Sequence, residues 1–185
     1  MFKCLLTAFL FFGFSLCAYA QSFDVNLSEE SAQIMFRGTI SKEVFDYTEF
    51  NAMFLYTPDS WIGSVGLDAC GELDAVSDLE LGVGLKVYGA DADDNEAMSI
   101  GLGGMLRYTP SVLEGMVFSG LLYYSPRVVS FLEADRLFQA NLRIGYQIIP
   151  RALVYIGYRD IWIDTEDEGK VTVDEGIHVG VEFTF

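Results

Sequence analysis

The residues of this chain that could take part in catalysis are spread singly along it. His178 is the single histidine, and Glu182 follows it at an even spacing, so both side chains lie on one face of a β-strand. An imidazole near a carboxylate could act as a general base, but a nucleophile would have to come from another strand, and no motif marks one. We therefore predict no enzymatic activity and no cofactor.

A second candidate is an acidic segment near the C-terminus that could bind a divalent cation. Asp164, Glu166, Glu168, Gly169 and Glu175 occupy positions 1, 3, 5, 6 and 12 of a pattern similar to an EF-hand loop. Glutamates at the third and fifth positions are longer than the residues usual there, and the flanking segments have the periodicity of strands rather than helices. The pattern is thus incomplete as a calcium site, and a solvated acidic segment is the alternative interpretation.

Further charged residues lie on the polar faces of segments whose other face is apolar. If these polar faces line a narrow lumen, opposite charges there should pair, because a single desolvated charge is very costly. The sequence places six candidate residues at such a lumen constriction: Glu80, Lys86, Arg107, Arg143, His178 and Glu182.

The segments that carry these residues alternate with period two, which is the pattern of β-strands. In Asp78–Tyr88, for example, Leu and Val alternate with Asp, Glu, Gly and Lys. Eight such segments lie between Thr48 and Phe185, and a shorter hairpin over Phe23–Ile40 raises the count to ten. Both counts are even, as in bacterial single-chain barrels. We predict an all-β fold, a transmembrane antiparallel up-and-down β-barrel of ten strands, with eight strands as the alternative.

The residue types on the two faces predict that this barrel is apolar outside. Leu, Val, Ile, Phe and Tyr occupy one face, whereas Gly and polar residues occupy the other. Aromatic residues near strand ends would form the girdles at the two membrane interfaces: Tyr56, Trp61, Tyr108, Tyr146 and Trp162. The alternative is a periplasmic barrel that binds an apolar ligand and points its Leu and Val faces inward.

The N-terminal segment predicts export of the chain. Residues 1–20 combine a basic start, the apolar run Leu5–Leu16 and the small-x-small sequence Ala18-Tyr19-Ala20, as in a cleaved signal peptide. Residues 21–185 would then form one outer-membrane barrel domain. Cys70 is the one cysteine outside the signal segment, so no disulfide framework is expected. The net charge of −16 argues against nucleic acid as a partner.

The last strand carries a possible assembly signal. His178, Gly180, Phe183 and Phe185 fill the spacing polar-x-Gly-x-x-apolar-x-apolar. This spacing resembles the C-terminal signal by which bacterial outer-membrane barrels are recognised for insertion. With the barrel pattern, it leads us to predict a protein of the cell outer membrane. We expect a monomer whose partners are membrane lipid, lipopolysaccharide, the barrel-assembly machinery and periplasmic chaperones.

Several short motifs resemble the YfaZ family of bacterial outer-membrane proteins. They are Tyr123–Pro126, Ala140–Gly145, Tyr155–Arg159 and Gly176–Gly180, and the N-terminal Asp24–Ser28 fits as well. The resemblance covers nearly the whole chain after residue 20 and is clearest from Leu121 onward. It implies a barrel fold and an outer-membrane location in a Gram-negative bacterium, and it carries over no catalytic or binding residue.

Two functional hypotheses remain open from the sequence. A barrel of eight to ten strands has an interior that side chains nearly fill, which favours a largely plugged lumen and a structural or interaction role. The outward loops, which include the acidic segments Gly89–Glu96 and Asp164–Lys170, would then face the exterior. The alternative is a narrow channel for small solutes or ions, with Glu80, Lys86, Arg107 and Arg143 along its constriction.

Overall fold

The computed structural model describes residues 21–41, 46–73, 76, 78–92, 95–132, 134–165 and 169–185. The predicted signal peptide, residues 1–20, lies outside the described residues. Two members of the acidic metal pattern, Glu166 and Glu168, also lie outside them. No helix among the described residues is long and apolar enough to cross a membrane.

Eleven antiparallel strands make up the described structure, and ten of them close into a barrel. Each barrel strand pairs with the next along the chain, except that β7 pairs with β9, and the ring closes where β1 pairs with β11. The strands are β1 (Ser22–Leu27), β2 (Ala32–Ser41), β3 (Tyr47–Tyr56), β4 (Ser60–Glu72), β5 (Leu79–Ala92), β6 (Asn95–Tyr108), β7 (Met116–Ser125), β8 (Ser130–Leu132), β9 (Ala134–Ile149), β10 (Ala152–Thr165) and β11 (Gly169–Thr184). The predicted ten-stranded up-and-down barrel is confirmed, and the eight-stranded alternative is wrong.

The apolar faces of the strands point away from the lumen. On β5, the side chain of Val83 is 69% exposed, whereas Lys86 and Tyr88 on the opposite face are buried. Three residues of the predicted girdles, Tyr56, Trp61 and Tyr146, are exposed on the same outer side. The alternative in which the Leu and Val faces bind an apolar ligand inside the barrel is therefore wrong. An apolar belt around a closed sheet is what a bilayer requires, because the strands pair around the ring and the side chains outside contact lipid.

The chain termini define the two ends of the barrel. At the terminal end, the backbone N–H of Phe185 donates to the carbonyl oxygen of Gln21 at 2.8 Å. The turns between β1 and β2 and between β3 and β4 lie at the opposite end, together with the ends of β5 and β10 and the starts of β6 and β11. We call this the distal end. The distal end is the one that the sequence predicts to face outward.

The connection between β7 and β9 carries secondary structure that the sequence did not indicate. Within Ser125–Asp135, a single 3-10 turn at Arg127–Val129 is followed by β8. Strand β7 pairs with β6 only as far as Leu102, and β8 takes its place beside β6 from Ala97 to Ser99. This short strand therefore completes the wall where β7 stops.

The two strands at the closure differ greatly in length. Strand β11 pairs with β10 along nearly its whole course, but it pairs with the short β1 only from Val179 to Thr184. The distal half of β11, Gly169–His178, has no backbone hydrogen-bond partner on its other side among the described residues. The hairpin of β10 and β11 thus projects beyond the tip between β1 and β2.

The barrel interior as the candidate functional site

The interior of the barrel is divided into two tiers. At the distal end, buried apolar side chains from strands all around the barrel form one cluster, which we call the apolar tier: Leu55, Ile62, Tyr88, Ala90, Ala97, Leu137, Ile161, Ile163 and Val173. Leu55, Ile62 and Ile161 have no exposed surface at all. These residues occupy inward positions of their strands near the distal turns, so this section of the lumen is largely apolar, with the buried Ser99 and Gln139 beside Tyr88 as polar exceptions.

Below the apolar tier, towards the terminal end, lies a layer of charged side chains that we call the charged tier. It comprises Asp24, Arg37, Glu49, Asp68, Lys86, Arg107, Arg143 and Glu182. Four of them are carboxylates and four are cations, which makes the layer neutral overall. This balance is expected where water is scarce, since pairing offsets the desolvation of each charge.

Glu182 is the centre of the first group of ion pairs. Its two carboxylate oxygens contact Arg37 at 2.6 Å and Arg107 at 3.3 Å. The two arginines come from β2 and β6, which lie on opposite sides of the lumen from each other. The contacts therefore join the closing strand β11 to distant parts of the wall across the interior.

Asp24 on β1 is the centre of the second group. One of its carboxylate oxygens contacts Arg143 at 2.9 Å, and the other accepts hydrogen bonds from the Tyr155 hydroxyl at 2.7 Å and the Asn26 amide at 3.0 Å. The Arg143 guanidinium also stacks over the Tyr155 ring, 4.6 Å from its centroid. Asp24 is fully buried, so these donors replace the water it would otherwise bind.

Asp68 on β4 is the centre of the third group. Its carboxylate accepts hydrogen bonds from the Asn51 amide at 2.5 Å and from the Tyr123 hydroxyl. The ammonium of Lys86 lies 4.1 Å from the centroid of the Tyr123 ring. A cation over an aromatic face in a buried site is favourable, so the Tyr123 ring helps to hold Lys86 beside this group.

Arg159 on β10 joins the closure of the barrel at the level between the tiers. Its side chain is fully buried and donates to Asp174 at 2.5 Å, to Asn26 at 2.7 Å, to Ser31 at 2.8 Å and to Gln33. The acceptors belong to β11, to β1, to the turn after β1 and to β2. A single guanidinium therefore connects both sides of the seam at which the first and last strands meet.

A cavity of about 50 Å³ remains inside the charged tier. Its lining includes Lys86, Arg107, Arg143, Glu182 and Asn141. A volume of this size has room for a few water molecules, and the polar lining makes their presence favourable.

The predicted constriction residues fall into two sets. Lys86, Arg107, Arg143 and Glu182 surround the same cavity. Glu80 is half-buried on β5 near the terminal end. His178 lies closer to the distal end, with its ring 5.9 Å from the Tyr155 ring in an edge-on arrangement. Glu182 is held by arginines rather than by His178, so the imidazole and this carboxylate do not form a pair.

The acidic pattern near the C-terminus does not form one loop in the described residues. Asp164 is the second-to-last residue of β10, and Gly169–Glu175 belongs to β11. Glu175 lies opposite Asp160 in the hairpin and accepts a hydrogen bond from the Tyr158 hydroxyl at 2.8 Å. The described residues contain no group of three or more His, Cys, Asp or Glu side chains that could hold a metal ion.

The residues of the proposed assembly signal have different surroundings. His178 is buried in the lumen, and a Cβ at Gly180 would collide with the Tyr155 ring. Phe183 points outward, and Phe185 follows the end of β11 with 73% of its side chain exposed. The histidine and glycine positions are thus explained by packing inside the lumen, whereas the two phenylalanine side chains remain accessible from outside.

Sequence reasoning missed the apolar tier and much of the network around Arg159. Ala152–Ile163 is apolar on both faces, so its inward residues, Ile161 and Ile163, could not be told from its outward ones. That loss of alternation near the distal ends was the available signal. Asp174 gave none, because its role depends on the bulge in β11 opposite Ile161 and Trp162.

Together, the closed sheet, the apolar belt and the charged lumen define a small transmembrane β-barrel of the outer-membrane class. The family model described as "YfaZ precursor" matches residues 15–185, and the chain belongs to this family. The resemblance noted in the sequence is therefore confirmed. A search of curated proteins found no significant match.

Two solved structures are similar to this chain at low sequence identity. One is a KdgM porin in complex with disordered oligogalacturonate, with 11% identity, a TM-score of 0.51, and coverage of 89% of this chain and 99% of that one. Another is a NanC porin, with 12% identity, a TM-score of 0.47, and coverage of 90% of this chain and 95% of that one. At such identities the KdgM similarity establishes the barrel fold alone.

Proposed function

We propose that this protein is a closed, non-conducting outer-membrane barrel with a structural or interaction role, and that it presents an acidic rim to the exterior. The observation that carries the proposal is the apolar tier, in which Leu55, Ile62 and Ile161 are completely buried across the distal lumen. An ion crossing this layer would have to leave water for a section lined mainly by apolar side chains, with only a few buried polar groups such as those of Ser99 and Gln139, which is costly.

The charged tier supports the same proposal. Its arginines are bound to the carboxylates of Asp24 and Glu182 at 2.6–3.3 Å, so they are not arranged as a free row of positive charges along a pore. The cavity of about 50 Å³ between them is too small for a hydrated solute larger than a few waters. Pairing across the lumen joins the walls, which favours a structural role for these charges.

The acidic rim supplies the interaction part of the proposal. The described distal turns and strand ends carry several exposed carboxylates, among them Glu29, Glu30, Asp59 and Glu96, and Glu175 is exposed on the distal half of β11. Such a rim would face the phosphate-rich surface of the outer leaflet, where divalent cations could bridge carboxylate and phosphate. Lipopolysaccharide bridged in this way is therefore a candidate partner.

A swelling assay on proteoliposomes tests whether the lumen is closed. We expect vesicles that contain the refolded barrel to swell in an isotonic arabinose solution no faster than protein-free vesicles. A general porin in the same lipid mixture provides the positive control. Swelling that increases with the amount of folded barrel would contradict the proposal.

A narrow channel is the second candidate function, and the cavity is the observation that favours it. Lys86, Arg107 and Arg143 line this space together with Glu182, so an opening of the apolar tier would place both signs of charge along the path. In that case replacement of Arg143 by alanine should change ion selectivity, because a cation is removed from the lining of the polar section.

We also propose that Phe185 acts in recognition by the assembly machinery rather than in stability. Because its side chain is 73% exposed, Phe185→Ala should refold in detergent as well as the wild type does. In cells we expect the folded, heat-modifiable form in the outer-membrane fraction to fall several-fold, whereas Thr184→Ala, also exposed at the strand end, should leave it unchanged. Equal amounts of both folded variants in the membrane would contradict this role.

A further inference from the structure

The distal half of β11 is an open sheet edge. Gly169–His178 pairs with β10 on one side, and on the other side it makes no backbone hydrogen bond to any residue that the structure describes. Along such an edge, alternate residues point an unpaired N–H and C=O sideways, which is the arrangement that recruits an extended strand. An edge of this length is unusual in a barrel, whose closure normally removes edges.

The edge keeps its position without a partner strand. Val173 is buried within the apolar tier, and Val171 packs against the same cluster. Asp174, the next residue after Val173, is bound by Arg159 at 2.5 Å. The inner face of β11 is thus held by packing and by an ion pair, so the edge is ordered before any partner binds, which lowers the entropic cost of binding.

The charges around the edge are mostly negative. The last residue of β1, Leu27, pairs with Val179, which directly follows the open edge. The turn after Leu27 therefore places Glu29 and Glu30 beside the His178 end of that edge. Glu175 is exposed on β11 itself. Lys170 is the one cation on this half of the strand, and it lies 5.0 Å from the Trp162 ring.

We propose that the open edge of β11 binds a basic extended peptide as an added β-strand. Backbone hydrogen bonds would supply the affinity, and Glu29, Glu30 and Glu175 would select lysine- or arginine-rich sequences. A second copy of this chain fits less well: two barrels inserted in the same direction would bring their Glu175 side chains together, and each chain carries a net charge of −16. The inference rests on the interaction role proposed above.

Fluorescence anisotropy with the refolded barrel in a zwitterionic detergent tests the proposal. The probe is a fluorescein-labelled peptide that alternates lysine with valine or threonine. We expect saturable binding at low salt, and about tenfold weaker binding to the variant Glu29→Gln, Glu30→Gln, Glu175→Gln, since each exposed ion pair contributes a factor of roughly 1.4 to 5. The matched control Glu72→Gln, Asp78→Asn, Glu114→Gln removes the same charge at the terminal end and should leave binding unchanged.

Two further measurements separate strand addition from simple charge attraction. Two peptides of the same charge are compared, one N-methylated at the odd residues and one at the even residues. Only one of the two sets of N–H groups faces the partner strand, so one methylated peptide should lose binding and the other should keep it. A cysteine-bearing peptide should cross-link to Thr172→Cys on the open edge but not to Thr184→Cys, whose strand neighbour is Ser22. Equal binding by both methylated peptides, equal cross-linking at the two sites, or a peptide-free dimer in sedimentation would overturn the proposal.

Conductance of the same preparation distinguishes the two proposals. A silent barrel that binds no peptide contradicts strand addition alone and leaves the closed lumen intact. A conducting barrel that binds the peptide with the expected charge and methylation dependence contradicts the closed lumen and upholds the open edge.

Discussion

Arg159→Leu should lower the free energy of unfolding of the barrel by about 3–5 kcal/mol, because the substitution leaves a buried carboxylate without its cation. The guanidinium has no exposed surface and donates to Asp174, Asn26, Ser31 and Gln33. Leucine fills part of the volume but donates nothing, so the acceptors on both sides of the barrel seam lose their partner. Urea titration in detergent, followed by tryptophan fluorescence, measures the change.

Arg127→Leu is the matched control. Its side chain is 65% exposed and forms an ion pair with Asp135 at 2.9 Å outside the lumen. Exposed pairs of this kind contribute about 0–1 kcal/mol, so we expect an effect within that range. A similar loss of stability in the two variants would show that burial at the seam has no special importance for the stability of the barrel.

Gly84→Ala is the second substitution for which we expect a large effect. A Cβ at this inward position of β5 would overlap the Leu67 carbonyl oxygen and the Asp68 carboxylate of the neighbouring strand. The carbonyl belongs to the backbone of a paired strand and cannot move aside cheaply, so we expect a loss of about 2–3 kcal/mol and a lower yield of folded barrel. Heat-modifiable gel mobility and urea titration report the two effects.

Gly89→Ala, on the same strand, separates this overlap from the general effect of replacing glycine. A Cβ at Gly89 meets no atom within 4 Å. Loss of glycine's freedom in the unfolded chain would then make this variant neutral or more stable by about 0.4–1 kcal/mol. If both alanine variants refold alike, the close approach of β4 and β5 at Gly84 is not a constraint on the fold.

The barrel could be predicted from the sequence because its outer face is regular. On β5, Leu81, Val83, Leu85 and Val87 face the lipid side without interruption, and the intervening residues face the lumen. Strand count follows from such segments and the turns between them. The exception was β8, since three residues after a 3-10 turn are too few to show any period.

The interior could be predicted only in outline. The expectation that lumen charges pair is met by Arg107 with Glu182 and by Arg143 with Asp24, but the choice of partners depends on register and on which walls face each other. Asp24 and Arg143 lie far apart along the chain, and no local pattern connects them. Asp78, an apparent lumen residue from its place in the alternation, is instead exposed in the turn before β5 with a φ of 68°.

The apolar tier has a consequence for the way in which the lumen could open. Its members come from strands on all sides, including Leu55 on β3, Leu137 on β9 and Ile161 on β10. No single loop or helix fills the distal lumen among the described residues, and the tier is built from side chains of the wall itself. Opening would require the walls themselves to separate, which costs the burial of several large side chains at once.

The most direct test of the closed lumen is single-channel recording of the refolded protein, residues 21–185, in a planar bilayer. We expect a flat trace at both polarities from protein whose folding is verified by heat-modifiable mobility, and a flat trace from Arg143→Ala as well. Discrete conductance steps in the wild type, with an ion selectivity altered by Arg143→Ala, would contradict the closed barrel and establish a channel lined by the charged tier.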